Sequence, residues 1–165
     1  MERGCTENNE NVYFQARKHA AETNDTLNSR EGAVELLGLS SSTLAKYELD
    51  MVKQVPVDSV VMMAELYNCP ELKTRYCKCE CPIGERMPLA TQAKNIERAV
   101  IRLCNNFDIK EIKGIKKEFM EIAEDGKVDE EEMNRMTELL SQLDRLSLAI
   151  NELKLTCLKA IGGNE

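Results

Sequence analysis

Tryptophan is absent from this 165-residue chain, phenylalanine occurs three times and histidine once. A single histidine, with no phosphate-cradling glycine loop and no nucleophile–base pattern around it, leaves catalysis without its usual groups. The sequence reads as a non-enzyme that needs no cofactor. Long apolar runs are missing too. None approaches the roughly 20 residues of a membrane span, and the polar opening MERGCTENNEN has no secretory h-region. A soluble, cytoplasmic protein with no membrane partner is expected. Seven cysteines in such a protein point to reduced thiols rather than a disulfide framework. Positive charge is also short, with 22 Lys and Arg against 29 Asp and Glu, a net of −7.

Against these absences stands one segment of definite design, Ser29 to Glu48, SREGAVELLGLSSSTLAKYE. Ser29 is placed to cap a helix whose apolar face is Ala33, Val34, Leu36 and Leu37, and Gly38 supplies the left-handed residue that ends it. Ser40 starts a second helix. Two short helices joined by a tight glycine turn leave the N-terminal face of the second free to enter a major groove.

From about Val12 to Asn68 the chain resembles the phage-repressor, or XRE/Cro-like, helix-turn-helix family. Arg30 matches the first motif position, Gly38 the turn glycine, Leu44 and Tyr47 the core-facing positions of the recognition helix, and Glu48 the acidic residue that closes it. Asp50 stands where the family commonly has a left-handed glycine, and Asp tolerates that conformation better than most residues. Pro56 before VDSVVMMAELYN resembles the loop and fourth helix. The resemblance implies an all-α chain whose residues 11–76 form a lambda-repressor-like five-helix DNA-binding domain. Its helices are expected near 11–23, 30–37, 41–49, 57–68 and 71–76. It further implies that Ser41, Ser42, Thr43 and Lys46 face the groove of double-stranded DNA, while Arg30 and the Ser29 cap hold phosphates.

Charge constrains that reading, because DNA is a polyanion. Residues 11–84 hold 8 Lys/Arg and 10 Asp/Glu, a net of −2, and residues 85–165 hold 13 and 16, a net of −3. Neither half is basic. Affinity therefore has to come from Arg17, Lys18, Arg30, Lys46 and Lys53 and from helix N-termini. Val12, Ala16 and Ala20, with Phe14 nearby, are the expected apolar pattern of the first helix, which puts Arg17 and Lys18 on its polar side. A single copy carries few such contacts, and a dimer doubles them.

Residues 1–10 are polar and expected to be disordered. At Cys77 to Pro88, two prolines and a glycine mark a linker. Beyond it the pattern is helical, with Ile96, Val100, Leu103 and Phe107 along one face. Asp108 with Glu111 makes a capping box, and Phe107 with Ile112 a hydrophobic staple, so a new helix starts at Ile109 and continues on Ile112, Ile115, Phe119 and Ile122. The turn Glu124 to Asp129 ends it. Asp129 and Glu132 form a second capping box, from which one helix runs to about Ala160. Its stripe is Met136, Leu139, Leu140, Leu143, Leu146, Ile150, Leu153 and Cys157, with Leu148, Leu155 and Leu158 outside it. The expected arrangement over 89–161 is a helical hairpin or coiled-coil-like bundle whose leftover apolar surface is covered by a second copy, a homodimer. A pocket for a small-molecule effector of unknown identity is the competing use.

Four thiols, Cys69, Cys77, Cys79 and Cys81, are weak candidates for a metal site, since Cys-x-Cys-x-Cys lacks the gap that lets neighbouring thiolates chelate comfortably. Reduced thiols or redox sensing are the alternatives. Glu121 to Glu132 has the sixth-place glycine and final Glu of a calcium loop but Ala123 at a ligand position, which favours a helix-connecting turn. His19 is expected in solvent, and Met51, Met62, Met63 and Met87 in the core. The function expected is a sequence-specific transcriptional regulator, a repressor acting as a dimer on a palindromic operator. The alternative is a protein-interaction module, such as an antitoxin or a mobile-element adaptor, working through the C-terminal helices.

Overall fold

The structure is a computed structural model and describes residues 11–124 and 129–162. The tail expected at 1–10 and most of the turn expected at Glu124–Asp129 lie outside the described residues. Those described form eight α-helices and no strand. None of the helices is long and apolar enough to cross a membrane. The chain divides into two compact units, residues 1–87 with 158–165, and residues 88–157.

Unit 1 carries α1 (Val12–Ala20), α2 (Arg30–Leu37), α3 (Ser41–Glu48), α4 (Val57–Leu66) and α5 (Glu71–Cys79), with a 3-10 turn at Asp25–Asn28. Asn11 caps α1 by accepting from the Tyr13 and Phe14 amides at 2.9 and 3.1 Å. Helix α2 packs on α3 and α4, α1 on α3, and α4 on α5. Between them Leu27, Leu44, Val60 and Met63 are almost wholly removed from water. Burying each such side chain is worth about 1.5–3 kcal/mol.

Several faces differ from the sequence expectation. Helix α1 buries Tyr13, Ala16 and Arg17, while Val12 and Phe14 are only half-buried. Leu36 is 54% exposed rather than part of the α2 core face, and of the four methionines assigned to the core only Met63 is there. Helix α5 runs through Cys77 to Cys79, because nothing before Pro82 interrupts it. The segment after it folds back on the helix. Lys78 Nζ donates to the carbonyls of Glu85 and Met87 at 2.6 and 2.9 Å. Gly84 lies so close to the Cys77 carbonyl that a Cβ there would fall 2.1 Å from its oxygen. Residues 77–87, all but the last of the linker expected at 77–88, are thus a packed part of unit 1. The last turn of the C-terminal helix also belongs to this unit, where Lys159 Nζ donates to Glu71 Oε1 at 2.6 Å.

Unit 2 carries α6 (Ile96–Asn106), α7 (Ile109–Ile122) and most of α8 (Glu130–Gly162). The helix starts expected at Ile109 and after Asp129 are present. Asp108 accepts from the Lys110 and Glu111 amides, and Asp129 and Glu132 cap each other's backbone at 2.8 and 3.1 Å. Buried here are Ala90, Ala99, Ile122, Leu139, Ala149, Leu155, Glu152 and Thr156. Ile96, Val100 and Phe107, expected along one apolar face, stand 42–48% exposed, and Leu140, Leu143 and Ile150 also face out. Leu155, expected outside the stripe of α8, is buried. The physical reason is Glu152. Ala149, Glu152 and Thr156 step three and four along α8, so its buried face there is centred on a carboxylate.

Candidate nucleic-acid interface

Helices α2 and α3 are each eight residues long and each begins on a serine cap. Ser29 Oγ accepts from the Gly32 amide at 3.0 Å, and Ser40 Oγ from the Thr43 amide at 3.1 Å. Between them Gly38 adopts φ +63°, a conformation costly for any residue with a Cβ. Helix α3 then divides its residues by face. Leu44, Tyr47 and Glu48 are buried, Ser41, Ser42 and Lys46 are exposed, and Thr43 is half-buried. Ser40 Oγ lies 3.0 Å from Ser42 Oγ and 2.7 Å from Thr43 Oγ1, which ties these hydroxyls into one cluster at the helix N-terminus. At the other end Asp50 takes φ 53° and accepts from Asn11 Nδ2 at 2.9 Å, and the same amide donates to the Tyr47 carbonyl at 2.7 Å.

The charges behind this surface are organised by Glu48, whose side chain is fully buried. Arg17 Nε donates to Glu48 Oε1 at 2.6 Å, Arg17 Nη2 to Oε2 at 3.1 Å, and Arg30 Nε to Oε2 at 2.7 Å. Arg17 Nη1 goes on to the carbonyls of Leu27 and Asn28 at 2.9 and 3.1 Å, and its guanidinium stacks over Phe14. Burial alone raises the pKa of Glu48, but the hydrogen bonds from Arg17 and Arg30 outweigh it and hold the carboxyl below its ordinary range. The bond to Glu48 likewise raises the pKa of Arg17.

Five cations were expected to serve DNA, and the structure sorts them. Arg17 is 2% exposed and bound to Glu48, so it has no surface to offer a phosphate. Lys18 is half-buried and donates to the Asn28 carbonyl and side chain. Arg30 spends one donor on Glu48 and keeps about a third of its side chain exposed. Lys46 and Lys53 are exposed and, among the described residues, have no ion pair. The Ser29 hydroxyl is committed to its own helix. Sequence reasoning missed the Arg17–Glu48 pair, although one signal pointed to it: Arg17 lies four residues after Tyr13 and next to Ala16, inside the apolar stripe.

The four candidate thiols are not assembled into a site. Cys69, Cys77 and Cys81 are free and half-buried. Cys79 is disulfide-bonded, where a reduced thiol was expected. No group of three or more His, Cys, Asp or Glu among the described residues is placed to hold a metal. Burial, then the neighbouring Glu71 charge, pushes the Cys69 thiol up to about 11. His19 is exposed beside Glu22. Glu121, first residue of the calcium-loop look-alike, is paired instead with Lys117 and Arg135 at 3.3 and 3.0 Å.

Comparison with protein-family models, curated proteins and solved structures gives no significant match for this chain.

Proposed function

We propose that the chain is a sequence-specific DNA-binding transcriptional regulator of the phage-repressor kind, a repressor that acts as a dimer on a palindromic operator. One observation carries this reading: two serine-capped eight-residue helices meet at a left-handed glycine, and the second buries Leu44, Tyr47 and Glu48 while turning Ser41, Ser42 and Lys46 to solvent. That division suits a helix whose N-terminal half enters a major groove. Unit 1 is then the lambda-repressor-like domain. Ser41, Ser42, Thr43 and Lys46 face the groove, Lys46 and Lys53 meet phosphates, and Arg30, in part committed to Glu48, stands beside them. The α7–α8 hairpin and α6 form the dimerisation region. Exposed Ile96, Val100 and Phe107 support that role, since a second copy would cover them. Repression follows from steric occlusion of the operator.

The test is selection of bound fragments from total genomic DNA at low salt, followed by anisotropy titrations on the selected duplex. Lys46→Ala should weaken binding about five- to tenfold with no change in the unfolding midpoint. Failure to retain any fragment at low salt refutes the regulator. A protein-interaction module is the second reading, favoured by the net charge of −7 and the exposed apolar side chains of unit 2. It predicts a tight protein complex that leaves DNA affinity absent.

A further inference from the structure

Unit 2 contains an open pocket of about 230 Å³ built over Glu152. The Glu152 side chain is 5% exposed, with Lys94 Nζ in contact with Oε1 and Arg102 Nη1 3.3 Å from Oε2. The second contact lacks hydrogen-bond geometry, so among the described residues Oε2 is buried with no donor aimed at it. Two positive charges and one negative leave this group at +1. The signs are also separated by depth, because the carboxylate is underneath while Lys94 and Arg102 are 42% and 47% exposed at the rim. Lys carries three donors and Arg five, so most of theirs are unspent. Glu152 lies beneath the two cations, whose remaining donors are left at the pocket rim. Leu89 and Leu148 supply apolar wall, and Gln92 an exposed amide.

We propose that this pocket binds a small organic anion, a carboxylate on a short apolar body, with Lys94 and Arg102 gripping the carboxylate and Leu89 and Leu148 covering the body. An amine would face two like charges, and the apolar walls give inorganic phosphate nothing beyond the cations. The inference goes beyond the DNA reading and does not rest on it.

The experiment is an amide NMR titration of the full chain at low ionic strength, with benzoate as probe and benzylamine and inorganic phosphate as comparisons. Benzoate should give saturable shifts confined to residues around 89–94, 102 and 148–156, at least tenfold tighter than either comparison. Arg102→Gln should weaken benzoate tenfold or more. Because that change also removes one of the two cations beside a buried carboxylate, the second variant is Gln92→Glu, at an exposed position outside the ion pairs. It should weaken benzoate about fourfold, the effect of one unit charge about 5 Å away across water. No saturable benzoate shift up to tens of millimolar, benzylamine or phosphate binding as well as benzoate, or unchanged affinity in Gln92→Glu would each overturn the proposal.

Discussion

Replacing Glu48 by Gln keeps the shape of the side chain and removes one charge from a fully buried position. In the native chain that carboxylate accepts three hydrogen bonds from two arginines. Without it, the Arg17 guanidinium remains 3% exposed and uncompensated. Breaking a buried pair from one side costs about 3–5 kcal/mol. Arg30→Gln removes a single charge-assisted bond from a side chain that is 34% exposed, so solvent screening limits its cost to about 1 kcal/mol. In the double replacement Arg17→Met with Glu48→Leu, the buried charge disappears from both sides and the cost falls below the sum of the singles by at least about 1.5 kcal/mol. It does not vanish, because the Leu27 and Asn28 carbonyls lose the Arg17 donor. The assay is urea unfolding followed by tyrosine fluorescence. All four tyrosines, Tyr13, Tyr47, Tyr67 and Tyr76, lie in unit 1, and with no tryptophan present the signal reports that unit. Acid unfolding supplies the sign check. A carboxyl whose folded pKa is depressed contributes stability present above its unfolded pKa and lost as pH falls through the folded one, so Glu48→Gln should flatten that acid limb. A Glu48→Gln cost below about 1 kcal/mol, or an unchanged acid limb, refutes the reasoning.

Within α8, Leu139→Ala should destabilise unit 2 by about 2–5 kcal/mol while the neighbouring Leu140→Ala costs under about 1, since the two are 1% and 54% exposed. Helix melting by circular dichroism separates them, and equal costs would contradict the burial pattern. Alkylation by iodoacetamide at pH 8 should modify exposed Cys104 well before Cys69, whose thiol, pushed up to about 11, presents almost no thiolate there. Peptide mass mapping over time gives the order, and faster loss of Cys69 would show that the burial argument is wrong.

Helix starts were readable from sequence wherever a cap and a periodic run coincided. Ser29, Ser40, Asp108 and Asp129 each sit where a helix begins. Helix faces were readable only where the core is apolar. On α1 the buried face passes through Arg17, and on α8 through Glu152, and in both cases the sequence pattern was rotated away from the charged residue. The partners that make those charges tolerable are remote, Glu48 for Arg17 and Lys94 with Arg102 for Glu152, so no local window contains the compensation. A periodicity that scores charged residues as surface cannot see such a face. Cys77 to Pro88 failed differently: proline and glycine marked a break there, but α5 runs on to Cys79, and neither residue type showed that the Lys78 ammonium and the close approach at Gly84 would pin the segment back on the helix.

The same pairing limits how strongly the proposed interface depends on salt. Each phosphate neutralised on duplex DNA contributes a slope of about −0.9 to the logarithm of affinity against the logarithm of salt. Of the five cations considered for that interface, Arg17 is committed to Glu48, Lys18 to Asn28, and Arg30 in part to Glu48. Lys46 and Lys53 are the two exposed cations without such a partner among the described residues. Two contacts per copy give a slope of about −1.8, and a dimer about −3.6. Lys46→Ala in both copies should reduce the dimer slope by about 2. A measured slope near −8 would require cations that are already engaged, and a slope near zero would mean that Lys46 and Lys53 touch no phosphate. Either value refutes this division of labour between a buried arginine that holds the recognition helix and exposed lysines that meet the duplex.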